Sequence, residues 1–300
     1  MATIFLTGAT GFVGRHLVPA LLRHDHHLRC LVRSASKAQS LQALGCEVVL
    51  GDLLDSHTWE GSLNGTELII HLAALHRGIP SRIRRTNTGG TAELLRAARA
   101  HEAKKILYLS TVTAANRPRW PYAHSVWLAE RSIKESSLSS TILRCSVIVG
   151  PGDPFLGGIL HTAQRWPVVP IVGSGKTRFQ PISVYDVVQC ILRAISSDRY
   201  DNRTLSIGGP EILSYDQIVH TVLQTLQIQK RVVHLPRWVT RFCVRWLERL
   251  GVHTPFAPGH FLSQDHIASS PTVIEDEFGV RPQRLREVIP TIVADGVAHT

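Results

Sequence analysis

The sequence predicts an α/β protein: a doubly wound parallel sheet with a smaller C-terminal lobe. Three observations carry this. Short β-branched runs alternate with helix-like stretches through the first half, a glycine-rich turn joins the first run to the first helix, and the alternation weakens beyond residue 150. A chain of 300 residues with 44% hydrophobic content can bury a full core, which excludes a disordered or fibrous protein.

Taken in order, strands are expected at TIFLTG (3–8), LRCLVR (28–33), EVVLGD (47–52), ELIIHLA (67–73), KKILYLS (104–110) and STILRCSVI (140–148). Helices are expected around 13–24, 35–44, 87–102 and 122–136. Strands separated by helices imply right-handed crossovers and a parallel sheet covered on both faces. After GPGDP (150–154), Pro and Gly crowd the stretch WPVVPIVGSGKTRFQPI (166–182). A helix at 184–196 and a strand at 203–207 then return to the sheet. Residues 1–150 with 181–208 are therefore expected to form the nucleotide-binding domain, and 151–180 with 209–300 a smaller substrate or partner lobe. A ligand of such a fold sits outside the carboxyl ends of the strands.

The segment TGATGFVGRHL (7–17) spaces Gly8, Gly11 and Gly14 directly behind the first strand and at the opening of the first helix. Glycines there permit a tight turn and close backbone approach, and a helix N-terminus offers N–H groups and partial positive charge to a pyrophosphate. Thr7, Gly8, Gly11, Phe12, Val13 and Gly14 are the candidate dinucleotide contacts of this Rossmann turn. At the end of the second strand, where NAD-binding chains carry an acid for the ribose hydroxyls, the sequence has Arg33, with Lys37 a turn later. A guanidinium can hold a 2′-phosphate through two hydrogen bonds, so NADP(H) is favoured over NAD(H). The plain alternative is that Arg33 is a solvated loop charge.

These motifs resemble a family. TGATGFVG, GDLLD (51–55), HLAA (71–74), Asn87 in TNTGGTAELLRAA, YLST (108–111), PY (121–122) and TILRCSVIVGPGD (141–153) follow the order of the extended and atypical short-chain dehydrogenase/reductases, which are NAD(P)-dependent and epimerase/dehydratase-like. FQPISVYDVV (179–188) and LSIGGPEILSYDQIV (205–219) extend the pattern. RFQPISVYDV and PFAPGHFLSQDHIA (255–268) look most like the branch containing the nucleotide-binding accessory subunit of respiratory complex I. The resemblance implies that Asp52 and Leu53 flank the adenine and that Ala73 and Ala74 lie along the ribose and phosphates. It also implies that Asn87 helps to order the sheet and the cofactor. Read from the residues alone, Asp52 either accepts from the adenine amine or caps the next helix.

Active members of such a family pair a tyrosine with a lysine four residues on, and usually with a Ser or Thr from the fifth strand. A phenol has a pKa of about 10, and lowering it by roughly three units takes about 4 kcal/mol of preferential phenolate stabilisation, which a neighbouring ammonium can supply. Here the tyrosine is Tyr122 and the fourth residue on is Val126, with neither charge nor donor. Arg131 and Lys134 lie more than two turns away. Arg117 and Arg119, in the preceding loop, are the cations that can reach in. The hydroxyl position falls on Val112, leaving Ser110, Thr111 and Thr113 as neighbours, with Thr113 the candidate if the turn is one residue longer. Two functions follow: a protein that uses NADP(H) structurally or as a sensor, or an active NAD(P)-dependent oxidoreductase or nucleotide-sugar epimerase/dehydratase with a rearranged proton relay. Chemistry on a quinone or lipid at a membrane surface is a third possibility.

RHDHH (23–27) has metal-ligand residue types, but it sits at a helix end away from the strand carboxyl ends and reads as a solvated turn. His71 reads as a core or backbone-bonded residue, and His76 as a residue on the cofactor side that either touches substrate or does not. Cys30, Cys46, Cys145, Cys190 and Cys243 include no C-x-x-C pair, which fits a reducing compartment. The formal charge of +10 draws anionic partners. In PRWVTRFCVRWLERLG (236–251), Arg237, Arg241, Arg245 and Arg249 form a basic stripe beside Trp238, Phe242, Trp246 and Leu250. The segment is either a helix packed in the small lobe or one that docks on a membrane surface or membrane complex. No nucleic-acid recognition motif accompanies the charge, so nucleic acid is not an expected partner. No signal-like leader and no apolar run of about 18 residues is present, so the expected location is cytoplasmic, with possible attachment to the inner face of a membrane. The substrate is not legible.

Overall fold

The computed structural model describes residues 2–236, 238, 261–270 and 272–298. The chain divides into two units. The first comprises Met1–Cys145, Val184–Ile207 and Val273–Val280, and the second Ser146–Ser183, Gly208–Thr272 and Arg281–Thr300. Residues 273–280 thus group with the first unit, although the sequence suggested the smaller lobe.

The first unit is built on β1 (Thr3–Thr7), β2 (His27–Val32), β3 (Glu47–Leu50), β4 (Leu68–His71), β5 (Lys105–Thr111) and β6 (Ser139–Cys145). The strand Arg203–Ile207 adds a seventh member at the edge beside β6, and the order continues through β5, β4, β1 and β2 to β3. Every pairing is parallel. The central strands are hidden on both faces, as in β4, whose four residues are all buried, and this accounts for their near-continuous apolar runs. Between the strands lie α1 (Phe12–Arg23), α2 (Ala35–Ala43), α3 (Pro80–Arg84), α4 (Gly90–Ala100) and α5 (Pro121–Lys134), and helix Val184–Ile195 precedes the edge strand. Arg85–Gly89 form a π-helical turn that joins α3 to α4.

The strand order reverses between β1 and β4. Loops leaving the carboxyl ends of these two strands therefore diverge around a crevice, the usual ligand position in open α/β sheets. On one face of the sheet Phe5, Trp59, Leu94, Ile106, Tyr108 and Ile133 belong to a single buried cluster. Trp59 stacks obliquely on Phe5 with ring centroids 5.7 Å apart and donates its indole N–H to the Asp52 carbonyl at 2.9 Å. This fixes the loop after β3 against the core.

The second unit holds helix Pro154–Arg165, a parallel strand pair Val168–Val172 and Arg231–Leu235, helix Tyr215–Thr225 and helix Leu285–Ala298. Local chemistry sets the helix starts. Asp153 accepts from the Phe155 and Leu156 N–H groups at 2.8 and 2.7 Å, and Ser214 with Gln217 forms a reciprocal capping box. Phe179 lies in an aromatic cluster with Phe155, Tyr215, Phe261 and His266. Of the segment 236–251, all but Pro236 and Trp238 lies outside the described residues, as does Cys243. Cys30, Cys46, Cys145 and Cys190 are buried free thiols.

Candidate functional site

The turn after β1 is shaped by what it cannot accommodate. Gly8 has a φ of 81°, and a Cβ there would stand 2.8 Å from the Ala73 nitrogen. A Cβ on Gly14 would stand 2.2 Å from the Gly8 carbonyl oxygen. Only glycine allows α1 to start this close to the turn and β1 this close to the loop after β4. Gly11 is the N-cap of α1, no side chain caps it, and the first turn holds no acid. A bare backbone turn and an uncapped helix N-terminus together fit a pyrophosphate. Phe12 and Val13 open the helix, with Val13 buried beneath it.

Thr7 and Ala73 belong to a buried polar chain that connects the two diverging loops. The Ala73 N–H donates to the Thr7 hydroxyl at 3.4 Å, and that hydroxyl lies 2.6 Å from His71 Nδ1. His71 Nε2 lies 3.0 Å from the Thr91 hydroxyl, which donates to the Asn87 carbonyl at 2.6 Å. Since Thr91 spends its proton on Asn87, its oxygen accepts from Nε2–H, and Nδ1 accepts from Thr7. Every donor has one acceptor only if His71 is the neutral Nε2–H tautomer. Burial accordingly pushes its pKa down to about 4. The sequence placed His71 in the core; its bonds go to side chains and not to the backbone.

Asn87 is buried where the π-helical turn passes under the loop after β4. Its amide oxygen accepts from the Leu75 N–H at 2.7 Å, and its amide nitrogen donates to the Leu75 carbonyl and the Ser125 hydroxyl at 3.1 and 3.0 Å. Ser125 in turn donates to the Tyr122 carbonyl at 2.8 Å. One side chain therefore ties the first turn of α5 to the loop after β4, which carries Ala73, Ala74 and His76.

Arg33 and Lys37 are both exposed, Arg33 immediately beyond β2 and Lys37 in the first turn of α2. Ser34 and Ser36 stand between them, their hydroxyls 2.8 Å apart. Two cations, two hydroxyls and a helix start make a donor set suited to a phosphate. Asp52 accepts from the Leu54 N–H at 2.9 Å, a turn-capping bond, while Leu53 is buried. The helix that follows, Ser56–Thr58, has Asp55 and not Asp52 at its N-cap.

Tyr122 sits in the first turn of α5, and burial raises its pKa, assisted by the Cys145 thiol. Val126, one turn on, is 1% exposed and belongs to the same apolar cluster as Ala129 and Ile133. The position a lysine would take is core. Arg117, expected as a cation able to reach the phenol, instead has its guanidinium 5.0 Å above the Trp120 ring, and Arg119 is exposed. Arg131 pairs with Glu135 at 2.7 Å. The aromatic neighbour of Tyr122 is His76, at a centroid distance of 4.6 Å. The Thr113 hydroxyl pairs with that of Thr111 at 3.0 Å, and Ser110 donates to buried Glu130. Glu130 is held by Arg144 through two bonds, of 2.8 and 2.5 Å.

Sequence reasoning missed two of these features. The pairing of His76 with Tyr122 joins residues far apart in the chain, and Glu130 reads as an ordinary surface charge of a helix. Among the described residues, no group of side chains, the RHDHH turn included, is arranged to hold a metal ion.

The chain is similar to several known proteins. It is 30% identical over 234 residues to the ceramide reductase of Caulobacter vibrioides, covering 78% of this chain and 73% of that protein. It is 37% identical over 209 residues to the 4-hydroxy-2-methyl-3-oxo-4-farnesyl-3,4-dihydroquinoline-1-oxide ketoreductase of Stigmatella aurantiaca, covering 68% and 61%. With the mitochondrial NADH dehydrogenase [ubiquinone] 1 alpha subcomplex subunit 9 of Dictyostelium discoideum it shares 25% over 239 residues, covering 77% and 65%. Its fold superposes on that of the epimerase Mth375 of Methanothermobacter thermautotrophicus with a TM-score of 0.83, at 16% identity over 99% of this chain and 93% of the other. The family model of NAD-dependent epimerases and dehydratases matches residues 4–208, and the chain belongs to that family.

Proposed function

We propose that this protein binds NADP(H) in the crevice between the β1 and β4 loops and uses it as a structural or sensing ligand, without the tyrosine–lysine proton relay. The observation that carries this reading is Val126, 1% exposed within the core at the position from which a lysine would serve Tyr122. The raised pKa of the phenol agrees with it, because a desolvated tyrosine with no cation against its hydroxyl stays protonated. Arg33, Lys37, Ser34 and Ser36 favour a 2′-phosphate over bare ribose hydroxyls. Two kinds of relative bear on the rest. The mitochondrial NADH dehydrogenase subunit supports a role within a multi-subunit assembly. The expected docking segment, 236–251, lies mostly outside the described residues. Among the described residues no helix is long and apolar enough to cross a membrane.

The relatives named as ceramide reductase and farnesylated-quinoline ketoreductase favour a second reading. In it the chain reduces a ketone carried on a long apolar group, and His76 beside Tyr122 takes part in a rearranged relay. One experiment separates the two. The nucleotide bound by the purified protein is identified, and nicotinamide absorbance is followed with long-chain ketones, quinones and sugar nucleotides. The first reading expects NADP(H) retention and no turnover. Turnover that is lost in Tyr122→Phe establishes the second, and failure to bind either dinucleotide overturns both.

A further inference from the structure

The loop after β4 and the helix it enters read HRGIPSRIRR (76–85). Arg77, Arg82, Arg84 and Arg85 are all exposed, and among the described residues none of them forms an ion pair. No Asp or Glu occurs between residues 68 and 92, and Glu93, the next acid, is engaged by Arg96. Helical geometry arranges the cations. Ile83 is buried, so at about 100° per residue Arg82 and Arg84 flank the inward direction and Arg85 points away from it.

The loop before α5 contributes Arg117 and Arg119, again exposed and without an acid between residues 103 and 129. The two stretches meet. α3 packs against α5, and the His76 ring lies 4.6 Å from that of Tyr122. Six exposed arginines thus lie on two neighbouring stretches beside the His76–Tyr122 contact, with no carboxylate in either stretch. Within this rim stands Ile79, the N-cap of α3, between Gly78 and Pro80 and 66% exposed.

We propose that this arginine rim docks on an anionic phospholipid surface, with Ile79 seated at the boundary between headgroups and acyl chains. The charge alone fits any polyanion. Ile79 selects the membrane, because an aliphatic side chain held out at a loop tip gains by entering the interface and gains nothing from a phosphodiester backbone. The assignment concerns residues 76–85 and 117–119 and is independent of segment 236–251 and of whether hydride is transferred.

The test is flotation of the full-length protein with vesicles of phosphatidylcholine containing about one third phosphatidylglycerol, against phosphatidylcholine alone. The proposal expects binding only to the anionic vesicles, released by about 0.5 M NaCl. In the variant Arg77→Gln/Arg82→Gln/Arg85→Gln, the loss is about five-fold per arginine. Ile79→Ser weakens binding while leaving the charge unchanged, and Arg99→Gln, on α4, leaves binding unchanged. Retention of circular dichroism and dinucleotide binding shows that each variant is folded. Absence of vesicle binding, equal binding to neutral vesicles, or a triple variant that binds like the parent overturns the proposal. So does heparin or single-stranded DNA binding that falls in the triple variant but ignores Ile79→Ser, since that pattern belongs to a nucleic-acid surface.

Discussion

At Val126, the residue that separates the two functional readings, a lysine would place an ammonium among Ala129, Ile133 and other core side chains. An unpaired buried charge costs several kcal/mol even after its pKa shifts, so Val126→Lys is expected to destabilise the fold by about 3 kcal/mol or more and to leave Tyr122 inactive. Urea unfolding checks this; a variant as stable as the parent would mean that the position opens to the site. His71 offers a second test. Its folded pKa of about 4 lies below the ordinary value of 6.5, so between these values the unfolded chain binds more protons than the native one. Stability from this group is complete above pH 6.5 and is lost as pH falls toward 4, by about 3 kcal/mol in total. Burial lowers the pKa values of His26, His76 and His266 too, so each contributes a pH dependence of the same sign. The share of His71 is therefore read as the difference in pH slope between the parent and His71→Gln.

Among the secondary elements, the Glu130–Arg144 pair joins α5 to β6, and Ser110 of β5 donates to the same carboxylate. Glu130 is 2% exposed and Arg144 partly so. Glu130→Gln strands a half-buried guanidinium and is expected to cost about 3 kcal/mol, whereas Glu130→Leu/Arg144→Met costs less than the sum of its single changes. A double-mutant cycle by chemical denaturation measures the coupling; additive costs would show that the pair holds nothing together. The same network shows what the sequence could and could not convey. The strands of the sheet and the helices α1, α2, α4 and α5 are legible because apolar runs and 3.6-residue stripes repeat within each element. That Ser110 stands opposite Arg144 depends on the register of β5 against β6, which no local pattern encodes. His76 and Tyr122 meet for a similar reason, since Asn87 draws the loop after β4 toward α5. The glycine turn, by contrast, was legible down to the residue, because steric exclusion at Gly8 and Gly14 leaves only one amino acid possible.

For the molecule as a whole, a nucleotide that binds only the native state raises its stability by an amount set by concentration and affinity. At a free concentration a hundred times the Kd the increment is about 2.7 kcal/mol. If Arg33 and Lys37 hold a 2′-phosphate, NADPH produces a larger thermal shift than NADH at equal concentration. Arg33 is exposed and lies beyond the end of β2, so replacing it leaves the core untouched and the stability without ligand close to that of the parent. Arg33→Asp then removes a cation from the phosphate and puts a carboxylate beside it, while offering the ribose hydroxyls of NADH an acceptor. The expected result is a reversal of preference: the NADPH increment shrinks by about 2 kcal/mol, the value of a charge-assisted bond, and the NADH increment stays or grows. Thermal unfolding of both proteins with each dinucleotide measures this directly. Equal increments from the two dinucleotides in the parent would assign Arg33 to solvent and show that the site does not discriminate between them.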